Sequence, residues 1–270
     1  MTRLKAVLEV LGVFGAVMVL VWALQVPGVA AAKQRLGPRP FLEYTLMMVV
    51  PLALLLARRA RLSAYGARFD NLGYHLTVAM TCLIPQAVVN AVAFGALRLD
   101  ARRWDGAVFH ALLNVGLLVS YVWLLRNKAA PGERPGPVVA PVMVLALANP
   151  VAPAVTGLAF YALFLGPAEE FLFRGYMQSR LNQAFGRPFR VAGVSWGPGI
   201  VLTSLVFGLM HVLNGVNPFL GRFSPMWAWG FWTFFAGLAL GFVRERTGSI
   251  VAPALLHGLP QAIASLFAGR

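Results

Sequence analysis

Gly106–Leu125 reads GAVFHALLNVGLLVSYVWLL, twenty residues without a Lys, Arg, Asp or Glu. At 1.5 Å rise per residue, a helix of about 20 apolar residues spans the ~30 Å hydrocarbon core of a bilayer. Strands of a membrane barrel are about 10 residues long and alternate strictly; no such pattern occurs here. Working outward, the same kind of run recurs at Ala6–Ala32, Phe41–Ala57, Leu72–Leu97, Pro141–Leu165, Pro198–Val212, Met226–Val243 and Ile250–Phe267. The reading is an all-α polytopic membrane protein of about eight transmembrane helices, the short sixth span being a candidate for a partly re-entrant one.

Composition supports the bilayer as solvent. Hydrophobic residues make up 59% of the 270, and only 12% are charged, about half the share of a soluble domain. Such a chain lacks the charge to cover a water-facing surface. The net charge of +14 raises a nucleic-acid reading, which the placement of the cations rejects. They sit singly or in small clusters between apolar runs, as in Lys33, Arg35, Arg39 or Arg98, Arg102, Arg103, where they anchor helix ends and attract anionic lipid headgroups. Cys82 is the only cysteine, so no internal disulfide and no cysteine metal cage is available.

Arg126–Gly136 (RNKAAPGERPG) has the Pro, Gly and charge of a linker. It divides the chain into residues 1–136, four spans without a motif, and 137–270. Val29-Ala30-Ala31-Ala32 after the first span resembles a signal-peptide cleavage site; Glu9 and the length of the run favour an uncleaved helix. Eight spans put both termini on one side. The loop Lys/Arg tally then ties, with Arg58 and Arg68 on one side and Arg180, Arg187, Arg190, Arg244 and Arg246 on the other.

Charges inside apolar segments are expensive and ask for a reason. The densest group is Glu169-Glu170-Phe171-Leu172-Phe173-Arg174, on a helix expected over about Ala168–Ala184 that leads from the fifth span toward the interface. Glu170 and Arg174, four apart, share a helix face and can pair. Glu169 points about 100° away and has no sequence-local cation, which leaves it a usable base. His211 closes the sixth span, and His257 lies in the eighth, four residues before Gln261 with Pro260 between them. Pro260 cannot donate to the Leu256 carbonyl and should bend the helix. Peptide hydrolysis needs an activated water, a proton carrier and an oxyanion donor. Glu169 and His211 suit the first two needs, and His257 and the Gln261 amide suit the third. The set Glu169, His211 and His257 also has the ligand count of a hydrolytic zinc site, with Glu170 as base; both schemes stay open. His75, Gln86, Asn90, His110 and Asn114 read as groups that join helices. Gly237-xxx-Gly241 reads as a close helix approach, and Glu9 and Glu43 as charges near span ends.

Glu169-Glu170-xxx-Arg174, Phe207-xxx-His211 and His257-xxx-Gln261, in this order, resemble the three motifs of the CAAX protease and bacteriocin-processing (Abi) family, which includes the Ras-converting CAAX endopeptidase. The stretches FLFRGYMQSRL after the glutamates and GFVRERTGSIVAPALLHG up to the last histidine are similar to that family's wording. The resemblance covers about Pro150–Ala268. It implies an intramembrane endopeptidase acting on a membrane-tethered polypeptide such as a prenylated CAAX tail. Water activation then falls to Glu169 and His211, the supporting pair is Glu170 and Arg174, and His257 binds substrate or oxyanion. Gln261 departs from the pattern, which usually has Asn. The Ala- and Arg-rich composition points to a bacterial inner membrane. The rival functions are a small-solute transporter, which predicts charge in both halves and an internal repeat, and a catalytically silent scaffold, which predicts broken motifs.

Overall fold

A bilayer core offers backbone N–H and C=O groups no water, and the apolar runs meet that constraint as helices. The computed structural model describes residues 2–35, 39–126, 157 and 159–267. Helices α1 (Arg3–Ala23), α2 (Pro27–Gln34), α3 (Phe41–Ala57), α4 (Leu72–Asn90) and α5 (Trp104–Leu125) come from the N-terminal half. The C-terminal half supplies α6 (Gly166–Glu170), α7 (Gln178–Phe185), α8 (Pro198–Leu213), α9 (Trp227–Thr247) and α10 (Val251–Phe267). Wider π-helical turns at Ala91–Ala96, Phe160–Leu165 and Phe171–Met177 extend α4 and flank α6, so that 159–185 is one continuous helical run. Among the described residues Arg3–Ala23, Leu72–Ala96 and Trp104–Leu125 are long and apolar enough to cross a membrane; Phe41–Ala57 and Pro198–Leu213 are apolar but shorter. Ile84, Leu112 and Val119 on α4 and α5 are 62–70% exposed. Side chains of this kind in such number form a face suited to lipid.

Several expectations are corrected. The first span is not one helix: α1 ends at Ala23, and Pro27 opens α2 at its first turn, the position proline fits best. The helix expected over about Ala168–Ala184 is present, with residues 168–179 buried throughout, and ends at Phe185. The linker Arg126–Gly136 beyond Arg126, the division at 136/137 and most of the fifth span Pro141–Leu165 lie outside the described residues. Two short antiparallel ribbons interrupt the all-α pattern. One pairs β1 (Phe189–Val191) with β2 (Val194–Trp196), and the other pairs β3 (Val216–Asn217) with β4 (Arg222–Phe223).

The tie in the basic tally also dissolves. Arg58 and Arg180 share the Glu9 carboxylate at 2.6 and 2.8 Å. A Cβ on Gly66 would collide with the Arg244 guanidinium, and Ile250 N donates to Gly66 O at 3.0 Å. Arg180 and Arg244 therefore belong to the same end of the bundle as Arg58 and Arg68. The sequence count had placed them on opposite sides.

The buried run 171–179 packs on one side against α1, α3 and α8, in a core that includes Phe14, Met47, Leu172, Tyr176 and Phe207. A second core joins α4, α5, α9 and α10 through Val78, Tyr121, Leu240, Val243 and Leu256. Glu9 is more than a span-end charge: Tyr176 Oη donates to it at 2.9 Å, so α1 is tied to the glutamate helix from inside. Glu43, near the opposite end, pairs with Lys33.

Candidate active site

Glu169 and Glu170 sit at the end of α6, where the backbone widens into the π turn Phe171–Met177, a distortion often found at functional sites. Glu170 is fully buried and Arg174 is 1% exposed at its side chain. Arg174 Nη1 donates to Glu170 Oε1 at 3.1 Å, as the i, i+4 spacing suggests. Its Nη2 donates to the Gly237 carbonyl at 3.1 Å, and its Cζ lies 4.4 Å from the centre of the Phe207 ring. The small residues at Gly237 and Gly241 allow α9 this close; added Cβ atoms would press on Ser204 and Ile200 of α8.

His257 completes the cluster. Its Nδ1 lies 2.8 Å from Glu170 Oε1, and its Nε2 lies 3.6 Å from Glu169 Oε2. The second distance is an ion-pair separation but too long for a hydrogen bond, and among the described residues Glu169 Oε2 has no hydrogen-bond partner. With Nδ1–H donating to Glu170, the imidazole turns Nε2 toward Glu169.

Close backbone packing sets this geometry. A Cβ on Gly166 would run into the Ala254 carbonyl, and one on Gly258 into the Tyr161 carbonyl. Leu256 O, which Pro260 cannot bond, accepts Gln86 Nε2 at 2.9 Å, and Tyr121 Oη donates to Gln86 Oε1 at 3.1 Å. Neither glycine, nor the pairing of Gln86 with the proline gap, stood out in the sequence. An amide in span three opposite a proline in span eight was the available signal.

His211, His257 and Gln261 line a cavity of about 510 Å³ together with Phe207, Trp229 and Trp232. His211 Nδ1 lies 2.8 Å from the Phe207 carbonyl; a carbonyl only accepts, so the proton sits on Nδ1 and Nε2 is left as the acceptor. Phe207 stands between the histidines, its ring centre 4.6 Å from His211 and 5.8 Å from His257. The structure thus gathers Glu169, Glu170, Arg174 and His257 by direct contact, and His211, His257 and Gln261 around one cavity. Among the described residues, Glu169 does not line that cavity, and no hydrogen bond or ion pair joins it to His211. His257 is the link between the two groups.

Residues 150–263 match the family model described as Type II CAAX prenyl endopeptidase Rce1-like. This segment belongs to the CAAX protease family. No curated protein and no solved structure matches the chain. The CAAX protease segment contains all seven named residues of the three motifs, and the chain is an integral membrane protein. The zinc set does not assemble in it: among the described residues no three His, Cys, Asp or Glu side chains stand close enough to share a metal ion. His110 and Asn114, expected to join helices, both line the cavity; the His110 ring lies 4.5 Å from Phe94 and 5.0 Å from Trp232, and Asn114 Nδ2 donates to His110 O of its own helix.

Proposed function

We propose that the chain is an intramembrane endopeptidase that hydrolyses a membrane-tethered polypeptide of the CAAX type, and that it works in a bacterial inner membrane. The observation that carries this is His257, in contact with both carboxylates of the glutamate pair and open to a cavity it shares with His211 and Gln261. Four charged or titratable groups in the core of a membrane bundle are costly, and a site that activates water gives them a use.

In this reading Glu169 takes a proton from water as the oxygen attacks the scissile carbonyl. His211 Nε2, an acceptor by its tautomer, assists from the cavity. Glu170 and Arg174 hold His257. A protonated Nε2 on His257 donates to the carbonyl oxygen as it becomes negative, with the Gln261 amide as second donor. The proton taken by Glu169 returns to the leaving amine. Lipid surrounds the bundle, and the substrate reaches the cavity from its own anchorage in the bilayer.

The test is purified protein in liposomes with farnesylated, bilayer-anchored peptides. Wild type should release a peptide fragment, located by mass spectrometry, and Glu169→Gln should not. Equal cleavage by both proteins would end the assignment.

A further inference from the structure

Part of the cavity wall comes from outside the CAAX protease segment, from α4, α5 and the turn between them. That turn is firmly held. Arg98 adopts φ +47°, Leu99 N donates to Ala93 O at 2.9 Å, and Arg103 N donates to Asp100 O at 3.1 Å. Gly106 lets α5 lie against the turn, where a Cβ would strike the Asp100 carbonyl. Arg102, on the cavity rim, therefore has a defined starting point.

Its charge is not spent locally. Arg103 pairs with Asp105 at 3.3 Å. Asp100 Oδ1 accepts the backbone N–H of Arg102 at 3.0 Å, which turns that carboxylate onto the turn. The Arg102 guanidinium rests over the Trp229 ring with Cζ 5.5 Å from its centre, and among the described residues it has no carboxylate partner. Trp229 in turn lies 5.4 Å from the His211 ring. An unpaired guanidinium over an aromatic face, at the rim of a mostly apolar cavity, suits a carboxylate, which it can bind through two parallel N–H donors.

The two ring contacts also set a length. They put the guanidinium carbon no farther than about 11 Å from the centre of the His211 ring, so a carboxylate held there lies at most about three extended residues, at 3.3–3.6 Å each, from a bond cut beside His211. We propose that Arg102 binds the C-terminal carboxylate of the substrate, so that the enzyme selects a free chain end close to the scissile bond. This rests on the proteolytic reading. The carboxylate it holds is the one the substrate brings; hydrolysis adds one water, leaving a new carboxylate on the tethered product and a new amine on the released peptide.

The probe is a farnesylated peptide ending in three apolar residues, made as the free acid and as the carboxamide. Wild type should cut the acid about 10- to 100-fold faster in kcat/KM, the span expected of one charge-assisted contact, with the difference in KM. Arg102→Gln, at an exposed site, should keep its melting temperature, lose that factor on the acid and leave the carboxamide rate unchanged. Equal cutting of acid and carboxamide by wild type, or equal slowing of both by Arg102→Gln, overturns the proposal. Binding of the same fluorescent peptides to Glu169→Gln protein separates the two readings. An acid preference abolished by adding Arg102→Gln supports the carboxylate site even where wild type cuts nothing, a result that would sink the protease reading alone. No acid preference in binding overturns the site.

Discussion

His257 Nδ1 lies 2.8 Å from the same Glu170 oxygen that accepts Arg174. One oxygen of a buried carboxylate therefore holds both the cation of its own helix and the imidazole of α10, while the Oε2 atoms of Glu170 and of Glu169, one residue earlier, have no donor among the described residues.

The two glutamates should respond differently to the same change. Glu170→Gln leaves Arg174 buried without its counter-charge and takes the ionised acceptor from His257. Breaking a buried pair by removing one partner costs about 3–5 kcal/mol, so the variant should melt well below wild type and lose activity with its fold. Glu169→Gln should melt close to wild type and lose cleavage by at least about 10²-fold, the low end for a general base. Circular dichroism melts in detergent beside a liposome cleavage assay decide this; equal melting temperatures would contradict the division.

A metal chelator gives an independent reading of the mechanism. The zinc set Glu169, His211 and His257 is not gathered among the described residues. Cleavage should survive prolonged dialysis against chelator. Loss of activity that added zinc restores would show that the side chains rearrange around a metal.

Legibility in the sequence followed the range of each interaction. Helix α3 was expected at its observed bounds because an apolar run, broken only near its start by Glu43, begins and ends there. The Glu170–Arg174 pair was readable because i, i+4 neighbours meet on any helix. The partner of Glu169 was not readable, since His257 lies 88 residues on and packing alone brings them together. For the same reason the count of charges at each end failed at Arg180 and Arg244, where a single misplaced segment reverses every later loop. Glu9 looked like an end charge because α1 alone does not show that Tyr176, Arg58 and Arg180 will converge on it.

Gln86 offers a test of how the N-terminal helices support the site. Its amide fills the gap that Pro260 leaves at the Leu256 carbonyl. Gln86→Leu should cost about 1 kcal/mol, between the membrane mean of about 0.6 and the cost of up to about 3 for an unpaired buried group. In a Pro260→Ala background the backbone N–H returns to Leu256, and the same substitution should cost less. A double-mutant cycle on melting or denaturant midpoints measures the coupling; additive effects would mean that Gln86 and the proline gap act separately.

Gln261 lines the cavity four residues after His257, where the related motif usually has Asn. If its amide donates to the developing oxyanion, Gln261→Ala should lower kcat by about 10²–10³-fold with little change in KM. Gln261→Asn keeps the amide on a side chain one methylene shorter and should retain much of the rate. Gln261→Glu should be inactive, since a carboxylate opposes the negative charge it would face. The three variants differ in one exposed side chain, so unequal melting temperatures would not account for an Ala and Glu loss beside an active Asn. Normal turnover by Gln261→Glu would remove Gln261 from oxyanion binding and leave that task to His257.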